Sequence, residues 1–216
     1  MKRFVAKTAL AAAIAVGPVV AMGAGTASAT PVYGGAFAIA YPGFRPNAYM
    51  VNMQVAPAFG PSDLVNNVYA ESARGCLGCD ALAVSVQVDL VSFTTTPPNE
   101  TDVAKVVDKG NGDDQNLASA AMFVVTAQGR VKLSASGWAQ LGSIECQLRA
   151  LSLVGSTPAA VQGNINALLG QVITVLQTDV TTTSPAVSTV SPAATSAVST
   201  APTGGVQITS NVQFDS

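Results

Sequence analysis

The stretch Arg74-Gly-Cys-Leu-Gly-Cys-Asp80 sets Cys76 and Cys79 three positions apart, directly ahead of an alternating apolar run. Cysteines at this spacing serve as half of a zinc site, as a redox dithiol, or as a clamp on a tight turn. Zinc fails on ligand count. A structural site takes four Cys or His ligands, and the 216 residues hold three cysteines and no histidine. A thioredoxin-like couple needs its first cysteine at a helix N-terminus after a strand, where the thiolate is stabilised. Here the pair precedes a strand-like run, and Arg74 is the only cation beside it. In an oxidising compartment Cys76 and Cys79 can close an i to i+3 turn, with Gly78 easing the geometry and Cys146 left as a free, half-buried helix thiol. Pairing either one with Cys146 would instead tie sheet to helix across a long loop. The odd cysteine count keeps both pairings open, the local one preferred.

The missing histidine reaches further. It excludes Ser-His-Asp and Cys-His catalysis, His-x-x-x-His zinc sites and histidine pH sensing. No nucleophile with an adjacent base stands out, and no phosphate loop of the Gly-x-x-x-x-Gly-Lys type is present, so the expectation is no catalytic residue, no metal and no cofactor. Asp80 reads as a turn residue and Asp89 as a solvated strand residue.

The compartment is read from the N-terminus. Met1-Lys-Arg-Phe-Val-Ala-Lys7 is followed by an apolar run to Met22 and by Ala27-Ser28-Ala29, the basic, apolar and small-x-small succession of a secretory signal cut after Ala29. A retained membrane anchor over residues 5–29 is the rival reading, opposed by Gly17-Pro18 and the small residues of 23–29. Loss of Lys2, Arg3 and Lys7 leaves Arg45, Arg74, Lys105, Lys109, Arg130, Lys132 and Arg149 against 12 acidic residues. Those cations are scattered, so nucleic acid is not an expected partner.

The elements that position the cysteines follow from periodicity. Residues 30–61 combine prolines and glycines with Tyr33, Phe37, Tyr41, Phe44, Tyr49 and Phe59. They read as an extended aromatic arm that packs on its own domain or, alternatively, offers those rings to an envelope or protein partner. Leu82, Val84, Val86, Val88 and Leu90 alternate with Ser85, Gln87 and Asp89, a strand with one buried face. This segment repeats about 35 residues on: Leu82-Ala83 matches Leu117-Ala118, and Val86, Val88 and Leu90 match Ala121, Phe123 and Val125. Less closely, Val68 falls on Val103, Arg74 on Lys109 and Gly75 on Gly110, while Cys76 and Cys79 fall on Asn111 and Asp114. Two strand-turn-strand units predict a small four-stranded antiparallel sheet.

Ser134 or Ser136 caps a helix running to about Leu151, and Thr157-Pro158 opens a second whose Val161, Ile165, Leu168, Leu169, Val172, Ile173 and Leu176 form a stripe. Val154-Gly-Ser156 folds the two into a hairpin. Beyond Thr178 the chain is Thr, Ser, Pro, Ala and Val, composed as a disordered tail over 179–205, with one short strand near 206–214. The expected fold is therefore α+β in class. A 62–177 domain of antiparallel sheet and helical hairpin lies between the 1–29 signal with its 30–61 arm and a 178–216 tail.

The run Gly75 to Val91, with Phe123-Val-Val-Thr-Ala-Gln-Gly129 and Leu133-Ser-Ala-Ser-Gly137, resembles a segment of uncharacterised exported proteins of actinobacteria. In those, a Cys-x-x-Cys followed by an Ala/Val-rich segment with a central Gln occurs twice and a helix follows. The resemblance covers about residues 65–151 and implies compartment and architecture, without an activity; the second cysteine pair is absent here. The function expected is non-catalytic: a secreted or cell-envelope protein with a structural or interaction role. An extracytoplasmic thiol-redox protein using Cys76 and Cys79 is the alternative.

Overall fold

The structure, a computed structural model, describes residues 32–43, 45–59, 63–94, 98–110, 113–183 and 206–216. The segment expected to be a signal peptide, 1–29, lies outside these residues, as does 184–205 of the stretch 179–205 expected to be disordered; Asp179 ends a helix and Val180–Thr182 form a strand.

Six strands alternate between two sheets: β1 (Val32–Ala40), β2 (Asn47–Phe59), β3 (Asp63–Ser72), β4 (Asp80–Ser92), β5 (Asn99–Asp108) and β6 (Gln115–Ala127). The odd strands form a parallel sheet in the order β1-β3-β5, and the even strands form β2-β4-β6 in a second sheet, also parallel. Each pair of successive strands is one coil of a flattened solenoid, and the described residues make three such coils. The expected antiparallel sheet is thus overturned, although the repeat behind it is present. Leu82 lies beside Leu117, Val86 beside Ala121 and Leu90 beside Val125, the sequence offset read as inter-strand register. Strands of one unit do not pair with each other. The 73–79 connection carries the chain over into the other sheet, so each strand finds its partner one coil later. In the first sheet the step is one residue longer than the sequence alignment had it, since Val68 pairs with Ala104. Residues 32–59, read as an arm, supply the first coil.

The even sheet is the middle layer. β4 and β6 are buried along nearly their whole length on both faces, the signature of a covered parallel sheet. Its outer face carries Leu82, Val84, Val86, Val88, Phe123 and Val125 against two helices. After β7 (Val131–Leu133), α1 (Ala135–Arg149) begins at Ser134, whose hydroxyl accepts from Gly137 N at 2.9 Å. α2 (Pro158–Asp179) begins at Thr157, which accepts from Ala160 N at 3.2 Å. Both caps fall at positions the sequence offered. α2 has the length and apolarity of a membrane-crossing helix, but its stripe Val161, Ile165, Leu169, Val172 and Leu176 is buried in the same cluster as the sheet. β8 (Val180–Thr182) pairs with β7, and β9 (Gln207–Asp215) adds antiparallel to β6, closing that edge of the middle sheet.

Between the two sheets the filling changes along the strands. At one end lie Ala36, Ala38, Ala40, Ala70, Ala81, Ala83, Ala118 and Ala120, with both cysteines among them. At the other lie Leu64, Val91, Met122 and Val124. Polar side chains occupy the middle.

Candidate functional site

Cys76 and Cys79 sit in the turn joining β3 to β4, at disulfide distance from one another and 5.6 Å apart at Cα. Gly75 and Gly78 hold φ values of +84° and +63°, which a Cβ would disfavour. Both cysteines are buried, at 0% and 1% exposure. In the next coil Asp114 replaces the cysteine: its Oδ1 accepts from Cys79 N at 2.8 Å, so the two turns are stitched together. Cys146, expected half-buried, is exposed on α1 and unlinked. In the native protein without reductant, iodoacetamide is expected to modify Cys146 alone, with Cys76 and Cys79 labelled only after unfolding and reduction. Mass-mapped labelling of either turn cysteine in the native state would contradict the clamp. Cys76→Ser is expected to lower stability by about 2 kcal/mol, the scale for so short a closed loop.

The polar middle of the inter-sheet layer was not anticipated. Asp89, read as solvated, is fully buried, because the face of β4 opposite the helices is covered by the first sheet. Gln87 Nε2 donates to Asp89 Oδ2 at 2.9 Å, and Asn66 Nδ2 donates to Asp102 Oδ1 at 2.9 Å. Gln87 Oε1, Asn66 Oδ1, Asp89 Oδ1, Asp102 Oδ2 and Ser85 Oγ have no hydrogen-bond partner among the described residues. The layer is therefore rich in acceptors and short of donors, and a proton on a carboxyl supplies one. Burial pushes Asp89 and Asp102 each up to about 7; the amide hydrogen bonds from Gln87 and Asn66 oppose this, and the nearby Glu100 charge adds to it. Glu100 is itself raised by burial against a hydrogen bond from Thr209 on β9. Asp80, at the start of β4, is also raised, first by burial. Gly34 makes room for this layer: a Cβ there would collide with Gln87 Oε1 and lie 3.2 Å from Asn66 Oδ1. Among the described residues no group of three or more cysteine and acidic side chains is placed to hold a metal ion.

The third feature is the aromatic set of the first coil. Tyr33, Phe37, Tyr41 and Phe59 are 65%, 62%, 47% and 51% exposed, so their own domain covers them only in part. Tyr33 and Phe37 project from the outer face of the first sheet; Phe37 lies beside Tyr69 of β3, ring centroids 6.4 Å apart, and Tyr69 beside Lys105. Tyr69 donates to Glu71, which also pairs with Lys109 at 2.7 Å. Phe59 stacks on Phe93 across the first two coils, and Phe93 holds φ +59°, a conformation a bulky residue rarely adopts. At the mouth between β1 and β2 a cleft of about 320 Å³ is lined by Phe37, Arg45, Asn47, Tyr49 and Met50.

No protein-family model, curated protein or solved structure matches the chain, so its geometry stands by itself. That geometry brings the two turn cysteines together and keeps Cys146 apart. The signal that could have revealed the buried acids is the alternation Ala36, Ala38, Ala40 after Gly34-Gly35, a strand face too small to be an arm and fit to lie close against another sheet.

Proposed function

We propose that this chain is a non-catalytic secreted or cell-envelope protein with an interaction role, its contact surface being the exposed rings of the first coil. One observation carries the reading: Tyr33 and Phe37 stand on the outer face of the first sheet, each more than half exposed. Soluble proteins seldom leave large apolar surface uncovered without a partner. The apolar, cut-site-bearing N-terminus and the resemblance to exported actinobacterial proteins support the compartment. The thiol-redox alternative is disfavoured by the burial of both turn sulfurs, since exchange needs an accessible thiolate.

The test is co-sedimentation of the purified exported protein with envelope fractions. The expected result is binding by the unaltered protein and a loss of about tenfold or more for the Tyr33→Ser, Phe37→Ser double variant, a scale set by removing two exposed aromatic anchors. No sedimentation of the unaltered protein, or equal sedimentation of the variant, would sink this reading.

A further inference from the structure

The two ends of the coil stack are finished differently. At the C-terminal end β9 pairs with β6, Asp215 Oδ2 accepts from Val106 N of β5 at 2.8 Å, and Thr209 donates to Glu100 of β5 at 2.9 Å. The outer strand of that end in the first sheet, β5, carries Glu100, Asp102, Lys105 and Asp108. At the N-terminal end no described strand pairs with the outer side of β1 or β2. β2 runs 13 residues without one charged side chain. Edge strands are ordinarily guarded by charge, proline or a covering element, and a long neutral edge is a template for another strand.

The direction of the free groups can be read from the ladder. Asp80 N donates to the Pro46 carbonyl at 2.9 Å, and β2 runs beside β4 without a bulge. In a parallel ladder both main-chain groups of a residue face the same neighbour, and successive residues alternate. Even-numbered residues of β2 thus face β4, and Asn47, Tyr49, Val51, Met53 and Val55 aim N–H and C=O at the open side. Pro57 belongs to this outward set, which suits an edge and ends the usable ladder there. By the same reasoning, Ala73 N bonded to the Ala40 carbonyl turns the odd residues of β1 outward, and one of their carbonyls, on Gly35, is already taken by Asn52 Nδ2 at 2.9 Å.

We infer that β2 is a self-association edge, pairing antiparallel with β2 of a second copy of this chain about a two-fold axis at Val51. Head-to-tail stacking would set the neutral first coil against the charged β5 and the capping β9, whereas a two-fold sets neutral edge against neutral edge. Centred on Val51, the register bonds Val51 to its own copy, Tyr49 to Met53 of the second copy, and Asn47 to Val55 of the second copy. All are outward-facing residues with an N–H, and Pro57 falls beyond the ladder. Centred on Met53, Pro57 would oppose Tyr49 and lose a bond. This inference does not require the envelope reading, which rests on the sheet face and not on its edge.

Sedimentation equilibrium of the exported protein tests it, together with amide hydrogen exchange at high and low concentration. A reversible dimer is expected, with Tyr49, Val51, Met53 and Val55 amides protected only at concentrations where the dimer forms. Val51→Pro removes an outward N–H and no internal bond. It is expected to weaken association by about 100-fold, from two lost hydrogen bonds at the axis, with circular dichroism unchanged. Should Val51→Pro fail to fold, the concentration dependence of exchange in the unaltered protein decides alone. A monomer at all concentrations overturns the inference. So does a dimer that a folded Val51→Pro leaves intact, or protection of these amides in the dilute monomer, which would mean that the chain covers its own edge. Protection that appears only on adding envelope extract would assign the edge to a foreign strand and likewise overturn it. Neither result touches the sedimentation of Phe37 variants.

Discussion

Thermal unfolding of the protein is expected to shift to lower temperature as the pH rises from 4 to 8, by about 10 °C or more. The cause is the pair of buried carboxyls between the sheets. Asp89 and Asp102 bind a proton up to about pH 7 in the folded state, against 3.8 ordinarily. Between those values the folded protein holds more protons than the unfolded chain, so stability falls with rising pH. The stabilisation of the neutral carboxyls is complete below the ordinary range, declines through pH 4 to 7, and is absent above. Each group contributes up to roughly 4 kcal/mol over that window, and about 2–4 °C in melting temperature accompanies each kcal/mol at this chain length. Glu71 and Asp179 act in the opposite sense, their carboxyls held low chiefly by hydrogen bonds from Lys109 and Ser134. Both are near the surface, where solvent screening leaves such pairs little weight. Asp89→Asn can still accept from Gln87, and Asp102→Asn from Asn66. The double variant is expected to lose most of this pH dependence, keeping only the smaller part due to Glu100 and Asp80, and to melt above the parent at pH 8. A parent melting temperature that is flat or rising across this range would show that the acids are ionised in place.

Phe123→Ala is expected to lower stability by about 3–5 kcal/mol, the cost of deleting a buried aromatic ring into a site that relaxes only in part. Phe123 is the largest fully buried side chain among the described residues, projecting from β6 into the cluster shared with α2. It is one of the side chains through which the sheet meets the helical layer. Urea unfolding followed by circular dichroism measures the change, and Trp138→Ala is the comparison, since Trp138 on α1 is about half exposed. That variant is expected to cost under about 1 kcal/mol. Similar values for the two would mean that the hairpin does not rest on Phe123.

The helical hairpin was legible because its signals are local: a capping hydroxyl, a proline in the first turn and a stripe at helical spacing are complete within each segment. The repeat was legible too, down to the pairing of Leu82 with Leu117. Its meaning was not, because a strand and its copy look the same whether they meet as hairpin halves or as stacked neighbours. The connection from Ser72 to Asp80 decides between these, and its composition does not say which sheet it enters. The inward acids were hidden for a related reason. Ser85, Gln87 and Asp89 are what a solvated strand face would carry, and only the second sheet, part of it built from residues that read as an arm, takes them out of water. The cysteine turn was the reverse case. Its spacing and glycines describe a tight turn wherever it is placed, so the geometry of the pair could be read before the fold.

The strand that seals β6 comes from the far side of the helical hairpin and runs against the direction of the coils. The stack therefore cannot be completed by simple accretion, each coil templating the next until the chain runs out. Its last rung closes only when a distant segment returns, a loop-closure step whose entropy must be met before its ladder forms. Until then β6 presents the same kind of bare edge as β2. The lifetime of that half-built state, more than the stability of the finished one, sets how long the chain stays open to pairing with the wrong strand.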